Sequence, residues 1–192
     1  MDRREFGKQT LGSLLTFSLL ETLLRSNALA DSVKPIAAKW LIIGRWKVEA
    51  IPVWSLRYFR FWVMKTLIRS APMAQFGGPI YNLYLRLLGA KIGKNATVFA
   101  KYMPVCTDLI SIGDNTMVRK DSVINGYKAQ SNYILTGPIE IGANSFVGEG
   151  GIVDINTVME DNTQLGHASS LHEGQRVPRG KRFHGCPAVE TT

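Results

Sequence analysis

An apolar residue recurs at every sixth position through the C-terminal half of the chain. The uninterrupted run is Ile141, Val147, Val153, Met159, Leu165, Leu171, Val177 and Phe183. The same step of six joins Ile92 to Val98 and continues from Cys106 to Ile124. Three such hexads form one triangular coil of a parallel β-helix, because the apolar residue of each hexad points into the core. The pattern therefore predicts an all-β domain built as a parallel β-helix.

Assigning the hexads to three faces in order predicts about five coils. Their first core residues are Ile92, Ile112, Ile141, Met159 and Val177. The second residue of a hexad is often glycine, as in Gly113 and Gly142, and we expect these glycines to supply unusual dihedrals at the corners. The fifth residue is usually small, as in Ser145 and Thr163, which leaves room where the chain turns.

Two corners of the predicted β-helix carry insertions. The step from Val98 to Cys106 has two extra residues, and the step from Ile124 to Ile141 has eleven, which form a loop through Tyr127. Loops that leave a regular scaffold often carry function. Tyr127 is therefore a candidate substrate-binding residue.

The segment before the repeat is rich in aromatic and basic residues, and we call residues 31–91 the arm. Tyr81 to Leu88, followed by Gly89, reads as a short helix with a glycine stop. The end of a solenoid exposes unpaired strand edges, so we expect this helix to cap the first coil. The expected architecture is thus a partly helical arm followed by the β-helix at residues 92–192.

A second helical stretch in the arm separates cations from apolar side chains. One broad side would carry Arg57, Arg60, Lys65 and Arg69. The other would carry Leu56, Phe59, Trp62 and Val63. Helices of this type lie on anionic membrane surfaces, so residues 40–91 are a candidate membrane-binding segment. The alternative is that these aromatic side chains pack on the neighbouring domain.

Composition and charge agree with this division. The chain has 192 residues, 45% of them hydrophobic, which suits one folded domain and excludes a disordered chain. Of the formal net charge of +8, residues 31–91 hold ten basic and two acidic residues, whereas residues 92–192 hold nine basic and ten acidic residues. No nucleic-acid recognition motif accompanies the basic residues, so we expect no nucleic-acid partner.

Residues 1–30 read as an export signal of the twin-arginine type. Arg3 and Arg4 precede an apolar stretch from Leu11 to Leu24, and a small-x-small site follows at residues 28–30. We therefore expect cleavage after Ala30 and export to the periplasm or the outer face of the inner membrane. The alternative is an uncleaved amphipathic N-terminus on a cytoplasmic, membrane-associated protein.

Residues eighteen apart stack on adjacent coils, so the sequence predicts neighbours. His167 lies eighteen after Glu149, and His184 lies eighteen after Gly166. A carboxylate beside an imidazole fixes its tautomer and raises its basicity, as a general base requires. Glu149, His167 and His184 are therefore candidate catalytic residues. The alternative is that these histidines are solvated or lie in a subunit interface.

Further polar residues follow from the same stacking. Asp154 and His172 form a second pair on the next corner. Arg119, Lys120 and Lys101 form a basic ridge lower on the first corner, where it would bind an anionic substrate.

The two cysteines are expected to lie far apart. Cys106 falls on the first coil and Cys186 on the last, beyond disulfide distance within one chain. Cys186 is a weak candidate nucleophile, because Pro187 follows it in a segment that would close the last coil.

Several motifs carry a family resemblance. They are Leu87-Leu88-Gly89-Ala90-Lys91-Ile92-Gly93, Pro104-Val105-Cys106-Thr107-Asp108-Leu109, Asn125-Gly126-Tyr127, Leu165-Gly166-His167-Ala168-Ser169-Ser170-Leu171 and His184-Gly185-Cys186-Pro187-Ala188. The hexads resemble the left-handed β-helix acyltransferases, and these motifs resemble the C-terminal domains of poly-lysine-type nonribosomal peptide synthetases. The resemblance covers residues 39–190. It implies a left-handed coil, a homotrimer with active sites between subunits, and formation of amide bonds.

The resemblance gives the candidate residues roles. The chain would transfer an acyl group from a thioester of coenzyme A or a carrier protein to an amine or hydroxyl, without a bound cofactor. His167 would remove the acceptor's proton, Glu149 would orient His167, and His184 would assist. Export conflicts with this donor, because acyl-coenzyme A is not expected outside the cytoplasm.

Two alternatives remain open at this point. His167 and His172 also resemble part of the zinc site of γ-class carbonic anhydrases, with His184 or Glu149 of a neighbouring subunit completing it. A non-catalytic, membrane-associated scaffold is the other.

Overall fold

The computed structural model describes residues 28–71, 78–100 and 102–191. The first 27 residues of the signal expected at residues 1–30 lie outside the described residues, as does the expected ridge residue Lys101, so both stay predictions. The first described helix, α1 (Ala28–Ala38), runs through the expected cleavage position after Ala30 and continues into one π-helical turn, Lys39–Ile43.

Three parallel sheets form the faces of the β-helix. The first face contains β2 (Lys91–Ile92), β4 (Ile110–Ile112), β9 (Ile139–Ile141), β12 (Thr157–Met159) and β15 (Arg176–Val177). The second contains β3 (Thr97–Val98), β5 (Met117–Val118), β10 (Phe146–Val147), β13 (Gln164–Leu165) and β16 (Arg182–Gly185), with β17 (Ala188–Thr191) antiparallel at its end. The third contains β6 (Val123–Ile124), β11 (Ile152–Val153) and β14 (Ser170–Leu171). A single 3-10 turn, Thr107–Leu109, precedes β4.

The register confirms the predicted coils. On the first face, the paired core residues are Ile92, Ile112, Ile141, Met159 and Val177. Their side chains and the other hexad core residues are buried, from Val98 to Val177. The period of six therefore corresponds to one apolar side chain per face, directed into a continuous core.

The expected role of the corner glycines was wrong. Gly113 does not have a left-handed backbone, and a Cβ there would lie 2.5 Å from the backbone nitrogen of Ala143 on the next coil. Glycine is thus required for close stacking of the coils. Asparagine takes the left-handed position instead, with a φ of 54° at Asn115 and 52° at Asn144, since asparagine tolerates this region better than most residues.

The predicted cap is helix α3 (Gly78–Leu87), which lies on the first coil. Leu85 and Leu88 are buried in the common core. The Asn82 amide donates to the carbonyl oxygen of Ala96 at 2.6 Å, and Arg86 donates to the carbonyl oxygens of Ile92 and Gly93. The helix therefore covers the open end of the β-helix and supplies donors to its backbone.

The eleven-residue insertion pairs with the arm. Its strands β7 (Tyr127–Gln130) and β8 (Tyr133–Thr136) form a hairpin, and β1 (Ala50–Pro52) of the arm pairs antiparallel with β8. Helix α2 (Leu56–Ser70) follows β1 and buries Phe61, Met64 and Ile68.

A buried ion pair also holds the arm. The Lys39 ammonium, which is buried, lies 2.8 Å from the carboxylate of Asp108 in the 3-10 turn. The same carboxylate accepts a hydrogen bond from the Trp46 amide at 3.0 Å.

Helix α2 has the expected apolar side, because Leu56, Phe59 and Trp62 lie together in solvent, but its other side carries buried apolar residues in addition to the expected cations. Its buried side is Phe61, Met64 and Ile68. Opposite them, an exposed apolar surface contains Trp54, Leu56, Phe59 and Trp62. The helix therefore packs on the neighbouring domain and also leaves apolar side chains in solvent. None of the helices in the described ranges has the length and apolar character needed to span a bilayer.

Candidate active site

The predicted stacking of Glu149 and His167 is confirmed. Val147 in β10 pairs with Leu165 in β13, so the residues that follow lie level on adjacent coils. The Ala168 amide donates to the carbonyl oxygen of Glu149 at 2.9 Å. Both residues lie on the corner that follows the second face, with the imidazole exposed to solvent.

The contact that orients His167 differs from the expected one. The backbone amide of Glu149, rather than its carboxylate, donates to Nδ1 of His167 at 3.1 Å. The Glu149 carboxylate lies 3.1 Å from the Lys120 ammonium and 3.5 Å from the Arg119 guanidinium. These two cations, with Lys120 contributing most, hold the pKa of Glu149 below its ordinary value. Glu149 therefore stays ionised and organises the basic ridge.

The hydrogen bond to Nδ1 determines which ring nitrogen carries the proton. Because Nδ1 of His167 accepts from an amide, it is unprotonated, and a neutral imidazole then carries its proton on Nε2. In this conformation the ring offers a donor to a bound molecule. It takes up a proton at Nδ1 only when it releases the amide of Glu149.

His184 lies where the stacking predicted, level with Gly166 on the preceding coil. A Cβ at residue 166 would overlap the imidazole of His184. Phe183 pairs with Leu165, which fixes this register. Glycine at position 166 thus makes room for the His184 ring beside the corner that holds His167.

The basic ridge borders an apolar concavity that sequence reasoning missed. Arg119, Lys120, Phe99 and Met117 line a volume of about 290 Å³. The Phe146 ring on the same face contacts the His167 ring edge-on, with centroids 6.1 Å apart. Phe99 directly follows a core residue and Met117 directly precedes one, and alternation along a strand directs such neighbours outward. That alternation was the signal that would have identified them.

Tyr127, a candidate substrate-binding residue, directs its side chain to the arm. Its ring lies edge-on to Phe61 with centroids 5.0 Å apart. Its hydroxyl accepts a hydrogen bond from Arg69 at 3.2 Å, and the Lys65 ammonium lies 5.1 Å from its ring centroid. The structure thus brings Tyr127 to helix α2, and its substrate-binding role stays a prediction.

The second predicted pair, Asp154 and His172, is level on adjacent coils but makes separate contacts. The Asp154 carboxylate accepts from the Ile155 amide at 2.9 Å, and the His172 amide donates to the Gln175 side chain at 2.6 Å. Among the residues that the structure describes, no group of three or more His, Cys, Asp or Glu side chains could hold a metal ion. The zinc alternative, which takes its third ligand from a neighbouring subunit, stays a prediction.

The cysteines lie apart, as expected. Cys106 is buried and Cys186 is exposed, and both are free thiols. Burial raises the pKa of the Cys106 thiol well above its ordinary value, which makes it unreactive. Cys186 accepts a hydrogen bond from the Ser170 hydroxyl at 2.9 Å.

Comparison with known proteins gives one sequence relative. No protein-family model matches the chain. The chain is 28% identical over 177 residues to a Delta-poly-L-ornithine synthetase of Acinetobacter baumannii (strain AB307-0294). The match covers 92% of this chain but 13% of that protein, so the chain spans about one eighth of its length.

Solved structures show the fold. A galactoside acetyltransferase in complex with coenzyme A is 13% identical, with a TM-score of 0.51 over 87% of this chain and 82% of that chain. A maltose O-acetyltransferase from Clostridium difficile 630 is 13% identical, with a TM-score of 0.49 over 80% of this chain and 95% of that chain. Together with the repeat and its parallel register, the galactoside acetyltransferase match shows that the chain has a left-handed parallel β-helix fold.

Proposed function

We propose that the chain transfers an acyl group from a thioester to an amine. The observation that carries the proposal is the corner at which His167, the Glu149 amide and the basic ridge meet. The acetyltransferase of the same fold was solved with coenzyme A, which supports a thioester donor. An amine acceptor is supported by the relative whose name gives a polymer of L-ornithine as its product.

The basic ridge favours an anionic donor. Arg119 and Lys120 together carry two positive charges, of which Glu149 neutralises one. The remaining charge attracts the phosphates of coenzyme A or of a carrier-bound pantetheine arm. The apolar concavity beside the ridge, lined by Phe99 and Met117, suits the uncharged part of such a donor.

His167 is the proton acceptor in the proposed reaction. The acceptor amine attacks the thioester carbonyl, the carbon–sulfur bond breaks, and the amine proton passes through the imidazole to the leaving thiolate. Because Nδ1 of His167 is occupied by the Glu149 amide, the ring must turn or release that amide before it takes the proton. His184, seated against Gly166, lies on the next coil and assists binding.

A homotrimer is part of the proposal. The His167 and His184 side chains are exposed on a corner of a single copy. A neighbouring copy placed against this corner would cover the thioester and exclude water from the reaction.

Substitution of His167 tests the function. Purified full-length protein is assayed for thiol release from acyl-coenzyme A and from an acylated carrier protein, with ornithine or lysine as acceptor. His167→Ala is expected to lower turnover about a hundredfold or more, the usual contribution of a general base. His172 is also an exposed histidine, on the next corner, so His172→Ala is the matched control and is expected to keep full turnover.

A glutamine at position 167 separates two roles of the ring. His167→Gln retains a donor near the position of Nε2 but cannot accept a proton. Loss of turnover in both variants supports the base role, whereas substantial activity in the glutamine variant means that the ring acts as a donor. Turnover that is unchanged in both variants would overturn the role of His167, whereas an absence of turnover by the parent chain with every donor and acceptor would favour a non-catalytic scaffold.

A further inference from the structure

The arm exposes a contiguous set of apolar side chains that the proposed reaction does not use. We call Trp54, Leu56, Phe59 and Trp62 the aromatic face. Trp54 is 93% exposed and Leu56 is 70% exposed, whereas ring stacking joins Phe59 to Trp62 with centroids 6.3 Å apart. Large exposed apolar patches of this kind mark interaction surfaces.

The aromatic face is held rigidly by the rest of the arm. The Ser55 hydroxyl caps α2 by accepting a hydrogen bond from the Tyr58 amide at 3.2 Å, and it donates to the carbonyl oxygen of Pro52 at 2.6 Å. The opposite side of the helix, with Phe61 and Met64, is fully buried. The exposed aromatic rings are therefore presented outward by a helix that is already packed, and folding alone does not bury them.

The charge around the aromatic face has one sign. Between Glu49 and Asp108 the sequence has eight basic residues and no acidic residue. At helical spacing, Arg60 lies on one flank of the face and Lys65 and Arg69 lie on the other. Among the described residues Arg60 is part of no ion pair, so its charge is available to a partner, whereas the Lys65 ammonium lies 5.1 Å from the ring centroid of Tyr127.

We propose that the aromatic face binds the surface of an anionic phospholipid membrane, with α2 lying parallel to that surface. Tryptophan and phenylalanine side chains enter the boundary between headgroups and acyl chains, and flanking cations meet the lipid phosphates. A second copy of this chain fits the face less well, because two such faces would bring cations of the same sign together. The β-helix would then lie on the side of α2 that faces away from the membrane.

Vesicle binding of the full-length protein tests the proposal. Sedimentation is measured with vesicles of phosphatidylcholine alone and with mixed vesicles of phosphatidylcholine and phosphatidylglycerol. Binding is expected for the mixed vesicles and is expected to weaken at about 1 M salt, where the screening length falls to about 3 Å. The double variant Trp54→Ser, Phe59→Ser is expected to bind at least about tenfold more weakly, and Arg60→Gln about fivefold more weakly.

Two variants outside the face are matched controls. Val189→Ser removes an exposed apolar side chain, and Arg182→Gln removes an exposed cation, both on the last coil. Neither is expected to change binding, and circular dichroism establishes that every variant is folded.

Three results would overturn the proposal. The first is no binding to mixed vesicles at low salt. The second is binding that the Trp54→Ser, Phe59→Ser variant leaves unchanged, because another segment such as residues 1–27 would then carry it. The third is a loss of self-association in that variant, measured by sedimentation velocity without lipid, which would make a second copy the partner. Acyl-transfer activity is measured separately with soluble substrates, so failure of membrane binding leaves the proposed reaction intact.

Discussion

The β-helix and the arm use their side chains in opposite ways. In the β-helix, core residues such as Val147 and Leu165 are fully buried, and surface charges pair between coils, as Asp161 does with Arg179 at 2.8 Å. In the arm, helix α2 buries one side and exposes the aromatic face on the other. The β-helix thus buries the apolar residues of its hexads and pairs charges between coils, except at the basic ridge, where one charge is left unneutralised beside the exposed Phe99 and Met117. The arm keeps both an apolar surface and an excess of positive charge for a partner.

The same substitution in the two regions gives the largest expected contrast. Leu165→Asp would bury an unpaired carboxylate in the core of the β-helix and is expected to cost about 5 kcal/mol or more of unfolding free energy, enough to prevent folding. Leu56→Asp places the carboxylate in solvent at the first turn of α2, where the helix dipole favours it, and is expected to change stability by no more than about 0.5 kcal/mol. Urea denaturation followed by circular dichroism measures both. Equal losses of unfolding free energy in the two variants would contradict the view that the β-helix buries this face of its leucines while the arm exposes its apolar side chains.

Removing the buried ion pair between the arm and the β-helix is expected to cause the next largest loss of unfolding free energy. Lys39→Met removes the cation from the buried pair with Asp108 and leaves a largely buried carboxylate, which is expected to cost about 3 kcal/mol. Arg57→Met breaks the exposed pair with Glu49 and is expected to cost less than about 1 kcal/mol. Urea denaturation of both variants measures the difference. Comparable losses would mean that the arm is held mainly by apolar contacts.

The sequence was sufficient to predict those structural features that depend on the six-residue repeat. A period of six and a coil of eighteen residues determine which core residues meet, so the coil starts from Ile92 to Val177 were predicted correctly. The neighbours Gly166 and His184 followed from the same arithmetic. The pairing of β1 with β8 could not be predicted in this way, because β1 and β8 lie outside the repeat and their contact follows no sequence period.

The repeat could not predict in which direction each side chain at the candidate site points. Stacking placed Glu149 beside His167 but could not show that its carboxylate would turn to Lys120 and Arg119. Two cations outcompete one neutral imidazole for a carboxylate. The reason for glycine at the corners could not be predicted either. A repeated glycine is compatible with a left-handed backbone and with close stacking of coils, and the structure shows that Gly113 is required for close stacking.

Two glycine substitutions are expected to have intermediate effects on the free energy of unfolding, for two different physical reasons. Gly113→Ala in the β-helix pushes a Cβ to 2.5 Å from a backbone nitrogen on the next coil, and is expected to cost about 2 kcal/mol. Gly180→Ala, at the position that Asn162 occupies one coil earlier, meets nothing within 4 Å, but its φ of 74° is unfavourable for alanine, so about 1 kcal/mol is expected.

Substitution by asparagine distinguishes a requirement for close stacking from a requirement for a left-handed backbone. Since asparagine tolerates a left-handed backbone, as Asn162 shows with a φ of 59°, Gly180→Asn is expected to be milder than Gly180→Ala, whereas Gly113→Asn is expected to be at least as harmful as Gly113→Ala. Thermal denaturation measures all four variants. Relief by asparagine at residue 113 would mean that backbone conformation, and not stacking, requires glycine there.

The smallest expected effect is a dependence of the charge pairing on pH. The Ala143 amide, followed by Arg179, holds the pKa of Asp161 below its ordinary value of 3.8. A carboxyl group with a lowered pKa stabilises the folded state above its ordinary pKa, and this contribution disappears as the pH falls through the lowered value. Asp161→Asn is therefore expected to be slightly less stable than the parent chain at neutral pH, with the difference vanishing in acid.

Denaturation at a series of values from about pH 7 to about pH 3 measures this convergence. Asp121→Asn is the matched control, because Asp121 is exposed, has a left-handed φ of 60° that asparagine tolerates, and makes no ion pair within the described ranges. Its difference from the parent chain is expected to be small and constant over the series. If the Asp161→Asn difference also stays constant with pH, neither the Ala143 amide nor Arg179 favours the ionised carboxylate over the protonated one, and the pairing of Asp161 between coils adds no pH-dependent stability to the β-helix.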